Sequence, residues 1–183
     1  GDPVPLHDDR RRAIDRRRAW GDQPMTHDDG GTAALTTIVM LPLLLVVLVG
    51  VLELGALRAI AYRAGAAADL ATLVAVGDQD QIELAHSGKL RLASDAADTA
   101  RDYFARNLLA TAPALAASAA EIAASADIAS FPTAPSFDPR MGVRYDRPTV
   151  RLIAFVPVKT PGFAALLMPA VTTLTIRSTS SPR

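Results

Sequence analysis

The sharpest feature of the hydrophobic pattern is a run with no polar break. From Gly30 through Leu52, GGTAALTTIVMLPLLLVVLVGVL carries no charged residue in 23 positions, and its centre is leucine and valine. A helix of that length reaches roughly 34 Å at 1.5 Å per residue, against about 30 Å of bilayer hydrocarbon. The run lacks the alternation of a barrel strand, so a helix is the form that satisfies its backbone in lipid. It also exceeds the roughly 7 to 15 apolar residues of a cleaved secretory signal. Residues 32–53 are therefore predicted to be one transmembrane helix. Pro42 and Gly50 are both tolerated there, Pro42 giving a kink or a freed carbonyl.

Beyond the span the pattern becomes amphipathic. Leu54, Leu57, Ala61, Ala64, Ala68 and Ala71 recur at spacings of three and four, with Arg58, Arg63 and Asp69 off that face. Residues 54–76 read as a helical stalk continuing the membrane helix, ended by Gly77 and the polar DQDQ after it. Residues 77–130 read as an alanine-rich helical region. In it one helix is predicted from about Leu90 to Thr111, with Ser94 or Asp95 available as a cap, and another opened by Pro113 and running through Ile128. Residues 131–147 read as a proline-rich linker.

In residues 148–183 the period changes to two. Val150, Leu152, Ala154 and Val156 share one face of a predicted strand, and VTTLTIRSTS is a second strand rich in β-branched residues. The apolar connection from Pro161 to Pro169 lets them pair antiparallel. A lone hairpin is marginal in water, so it must lie on the helices or on a partner. The fold class is α+β: a long N-terminal transmembrane helix with its stalk, further alanine-rich helices, and a C-terminal antiparallel β-hairpin.

Charge settles orientation more than function. Lysine plus arginine equals aspartate plus glutamate at 19 each, which gives no reason to expect a nucleic-acid partner. Arg10, Arg11, Arg12, Arg16, Arg17 and Arg18 precede the span, whereas Arg58 and Arg63 are the nearest basic residues after it. Because the positive-inside rule counts lysine and arginine and largely ignores carboxylates, the N-terminus is expected in the cytoplasm and the C-terminal region outside the cell membrane. Residues 1–31, polar and broken by proline and glycine, read as a disordered cytoplasmic tail or leader.

The search for chemistry yields no catalytic set, and the chain reads as a non-enzyme without cofactor or metal. Cysteine is absent, and histidine occurs only at His7, His27 and His86. His27, Asp28 and Asp29 are adjacent and cannot wrap one ion. Asp95 and Asp98 could mimic a carboxylate pair, but read as a solvated helix face. Glu53, at the outer end of the span, reads as an interfacial boundary residue, with a specific intersubunit partner as the competing reading.

Three stretches carry a family resemblance. Gly31-Thr32-Ala33-Ala34-Leu35, Leu41-Pro42-Leu43-Leu44-Leu45 and Gly50-Val51-Leu52-Glu53-Leu54-Gly55 resemble the N-terminal signature of TadE-like pilus-assembly proteins, which are minor pilins or pseudopilins of the tight-adherence (Flp) pilus system. The tail is similar too, with a strand, the proline-bounded turn at Pro161-Gly162-Phe163 and a closing threonine-rich strand. The resemblance implies cutting by a prepilin peptidase after Gly31, leaving Thr32 as the new terminus. Related pilins carry a glutamate at the fifth mature position, and this chain has Thr36 there, a departure that suits an accessory, tip or uncleaved component. The partners implied are membrane lipid and other pilin or pilus-platform subunits, met through the transmembrane helix. Ala33, Ala34 and Gly50 permit close helix approach, with Pro42 and Glu53 in the same packing segment. An anchored accessory subunit of another complex, in electron transfer or transport, is the alternative.

Overall fold

The long helix α1 runs Asp29–Gly77 in the computed structural model, which describes residues 29–182, with the side chains of residues 29, 30, 32 and 33 outside that description. The expectations for the tail of residues 1–28, including His7, His27, Asp28 and the arginine cluster, lie outside the described residues. The helix begins three residues before the expected Thr32 and ends where Gly77 was expected to end it. The chain divides into two units between Leu45 and Val46.

The described part of the first unit is α1 from Asp29 to Leu45. In the second unit, α1 from Val46 is followed by α2 (Gln81–Ser87), α3 (Ala96–Leu108), a 3-10 helix (Leu109–Ala114), α4 (Ala119–Ser125), β1 (Asp127–Phe131), β2 (Ser136–Asp138), β3 (Val143–Tyr145), β4 (Thr149–Lys159), α5 (Pro161–Ala165) and β5 (Val171–Ser180). The fold class is thus mixed helix and strand. Strands β1, β4 and β5 form an antiparallel sheet in that order, with β4 central, and β2 and β3 form a separate hairpin.

Alternation along β4 fixes which way the sheet faces. Val150, Leu152, Ala154, Val156 and Val158 are all buried on one side. Their neighbours on β5 alternate in step, with Ile176 and Ser178 buried and Thr175, Arg177 and Thr179 exposed. The apolar side packs on the alanine face of α1, where Ala64, Ala68 and Ala71 are fully buried, and on Phe104 and Leu108 of α3 and Ile122 of α4. Alanine lets the α1 backbone approach the sheet closely, while Phe104 supplies the bulk; burying a side chain of that size contributes about 1.5–3 kcal/mol. A smaller cluster joins Ala75 and Val76 to Leu92, Ala96, Ala100 and Val150. The hairpin expected from the sequence does lie on helices of its own chain.

Several expected elements are reshaped. Leu92 is buried and bridges Gln79 in a strand-like pairing, so α3 starts at Ala96 and not near Leu90. Pro113 sits inside the 3-10 helix and opens no helix. Ser118 opens α4 instead: its hydroxyl accepts from the Glu121 amide while the Glu121 carboxylate receives the Ser118 amide at 2.9 Å. α4 ends at Ser125, and the segment expected to stay helical through Ile128 becomes β1, paired with β4 from Asp127↔Ile153 to Phe131↔Thr149. Beyond β1 the same edge of β4 is met by Leu115, which bridges Val158, with the Ala116 amide donating to the Pro157 carbonyl at 2.9 Å.

Residues 131–147 are likewise not a plain linker. They hold the β2–β3 hairpin, whose loop turns on Gly142 at φ 66°, a backbone conformation that glycine adopts without a Cβ penalty. α2 was not expected from the pattern; Asp80 starts it by accepting from the Ile82 and Glu83 amides.

Candidate functional site

The stretch of α1 that reads as a membrane span is an apolar surface with no covering layer. Every residue from Ala34 through Leu48 is exposed, on all sides of the helix, with Ile38 at 72% and Leu44 at 63%. Exposure on every face rules out a core helix buried on one side, because successive residues 100° apart cover the whole circumference. Among the described residues this is one helix long and apolar enough to cross a membrane. A single apolar helix of this kind near the N-terminus of the chain is compatible with a single-pass membrane protein.

The helix passes through Pro42, whose ring nitrogen leaves the carbonyl of Ile38 without its usual amide partner. Gly31 and Gly50 face open space, with nothing within 4 Å of where a Cβ would stand. Of the residues expected to mediate helix packing, Ala34 and Pro42 are exposed and Gly50 is half-buried, and the Thr32 and Ala33 side chains lie outside the described residues. The candidate processing bond between Gly31 and Thr32 falls in the first turn of α1.

Glu53 has a partner that neither sequence reading foresaw. Its Oε2 accepts the backbone amide of Gly162 at 3.2 Å, at the start of α5. A Cβ on Gly162 would stand 2.5 Å from that oxygen and 3.1 Å from Cγ1 of Val49, so a larger residue here would displace the Glu53 carboxylate and press on Val49. The signal in the sequence was Gly162 between Pro161 and Phe163, but its meaning depended on a residue 109 positions away.

Two further polar clusters are structural in their contacts. Arg151, nearly buried on β4, donates to Asp127 Oδ2 at 2.7 Å, and its Nε lies 2.7 Å from Asp138 Oδ2, off the hydrogen-bond direction. Asp138 also receives the Arg140 amide at 2.9 Å and so fixes the β2–β3 turn. The hydrogen bond from Arg151 holds the Asp127 carboxyl below the usual aspartate range, helped by the charges of Arg151 and Arg140 and opposed by burial. Burial, with the nearby Asp138 charge, pushes the Tyr145 hydroxyl up.

Asp98 pairs with Arg101 on the exposed side of α3, and Asp95 occupies the position before α3 without a capping bond. His86 stands exposed in the last turn of α2. Among the described residues no group of three histidine or carboxylate side chains is placed to hold a metal ion.

Compared with known proteins, the chain matches no family model, and no curated protein or solved structure is significantly similar to it.

Proposed function

We propose that this protein is a structural or assembly component of a cell-surface machine of the Tad/Flp pilus or a related secretion type, a minor pilin- or pseudopilin-like subunit held by one transmembrane helix. The observation that carries this reading is the apolar surface of α1, charge-free from Ala34 to Leu52 and exposed on every face from Ala34 to Leu48. In water such a surface costs free energy in proportion to its area, and lipid or neighbouring membrane helices remove that cost. The resemblance of Gly31–Gly55 to the TadE-like signature supports the choice of machine. The arginines between Arg10 and Arg18 support a cytoplasmic N-terminus, which puts the α+β domain on the outer side.

In this role the helix packs laterally against other subunits through Ala34 and Gly50. Thr36 in place of the pilin glutamate favours an accessory or tip position over the repeating filament.

Two measurements test the proposal. Intact mass of the chain recovered from its own membranes reads the mature N-terminus, and a start at Thr32 is expected if a prepilin peptidase processes it. Crosslinking from Gly50→Cys in detergent-solubilised membranes is expected to capture pilus or secretion-platform subunits. Recovery of the chain in the aqueous phase without detergent defeats the anchor and the proposal with it.

A further inference from the structure

The connection between β4 and β5 has the physical character of a second membrane contact. No charged residue occurs between Lys159 and Arg177, and the loop itself reads PGFAALLMPA. Two of its large apolar side chains are exposed, Leu167 at 99% and Met168 at 52%, while Phe163 and Leu166 are half-buried. Leu167 is held at φ 60°, a backbone setting unusual for leucine.

Where the loop sits identifies what would cover it. Gly162 touches α1 at Val49 and Glu53, within the last turns of the apolar run that ends at Leu52. The loop therefore stands at the level of Leu52, the exposed last residue of the apolar run.

Five amides of the loop have partners. The Gly162 amide goes to Glu53, the Ala164 amide to the Thr160 carbonyl, the Leu166 and Met168 amides to Phe163, and the Leu167 amide to Ala164. Pro161 and Pro169 have no amide to satisfy. At the base, Thr160 is fully buried, with its hydroxyl donating to the Pro169 carbonyl at 2.8 Å and its amide to Ala170. Satisfied amides are what a segment needs in order to enter the water-poor border of a bilayer, where an unpaired one is costly.

We propose that residues 161–169 insert their apolar side chains, Leu167 and Met168 foremost, into the lipid leaflet beside the end of the apolar run of α1 near Glu53, so that the domain is held to the membrane at two points. This rests on the reading of α1 as a transmembrane anchor. The Glu53–Gly162 hydrogen bond then sets the height of the domain over the leaflet, and the exposed Lys159 flanks the loop within reach of headgroup phosphates.

The test uses the full chain in phosphatidylcholine and phosphatidylglycerol vesicles with brominated acyl chains, which quench tryptophan only on contact. The sequence has one tryptophan, Trp20, replaced by Trp20→Phe as the background. Leu167→Trp and Met168→Trp probe the loop separately, and Met168 avoids the unusual backbone at Leu167. Val46→Trp probes the anchor, and Thr179→Trp probes the end of β5 far from the loop. The expected result is loss of most emission at Val46, Leu167 and Met168 and none at Thr179.

Quenching at Val46 but at neither loop position overturns the loop inference and leaves the anchor standing. Within that outcome, blue-shifted loop emission assigns the loop to packing on this chain's own domain or on a second copy, and water-like emission leaves it in solvent. Absence of quenching at Val46 defeats the anchor reading itself, and the loop inference with it.

Discussion

Oγ1 of Thr72, in the alanine face of α1, lies 2.9 Å from Oγ of Ser178 near the end of β5, joining positions 106 residues apart. Ser178 donates to Oδ1 of Asp69 at 2.7 Å, which uses its single proton. The Thr72 hydroxyl donates to the Asp69 carbonyl at 3.1 Å, and Oγ of Ser180 also lies 2.9 Å from the same Thr72 oxygen. The result is a cluster of three hydroxyls, Thr72, Ser178 and Ser180, gathered at the carbonyl and carboxylate of Asp69. It pins the last strand to the long helix where alanine side chains alone give little grip.

Removing Ser178 tests that cluster. Ser178→Ala takes one hydrogen-bond partner each from Asp69 and from fully buried Thr72, and is expected to destabilise the domain by about 1–2 kcal/mol. Chemical denaturation of the full chain in detergent micelles reads the loss. Ser178→Thr keeps the hydroxyl and should recover part of it.

Close approach of α1 to the sheet predicts intolerance of bulk. Ala68 is fully buried against the sheet cluster, so Ala68→Leu should cost about 1–3 kcal/mol through forced shifts. Ala66, exposed on the other side of α1, should accept leucine within about 0.5 kcal/mol. Equal midpoints for the two variants would disprove the close packing of this helix face.

Arg151 joins two carboxylates from different elements. Arg151→Met leaves Asp138, almost fully buried, without its cationic neighbour, and a loss of about 3–5 kcal/mol is expected. The β2–β3 hairpin should loosen first, since Asp138 also holds its turn. Faster amide exchange at Arg140 than at Leu152 would show that order.

Acid should act through Asp127. A carboxyl held below its unfolded value contributes stability that is complete above about pH 3.9 and is lost as pH falls through the lower folded value. Melting of the wild-type chain should therefore fall more steeply than that of Asp127→Asn as pH drops from about 5 to about 2. Parallel curves would show that the pairing of Asp127 with Arg151 adds no acid-sensitive stability.

Particular segments show which signals were legible. The charge-free run to Leu52, the stop at Gly77 and the period-two alternation of β4 and β5 each rest on neighbours in sequence, and each matches an observed element. The Ser118–Glu121 capping box was also written in the chain, and it places the start of α4 better than Pro113 does. β1 had no such mark. Asp127–Phe131 follows an alanine-rich helix and precedes prolines, and it becomes a strand because the edge of β4 from Thr149 to Ile153 offers unpaired backbone groups that local propensity does not record.

The candidate surface divides along the same line. The sequence by itself determined that α1 carries an apolar run long enough to span a bilayer, because that depends only on length and the absence of charge. Only the tertiary structure decided that Glu53 meets Gly162, that β4 becomes a central strand, and that the Pro161–Pro169 loop stands beside the end of the apolar run. Hydrogen bonds and close contacts between residues a hundred positions apart form only when the chain closes on itself, and no local period carries them.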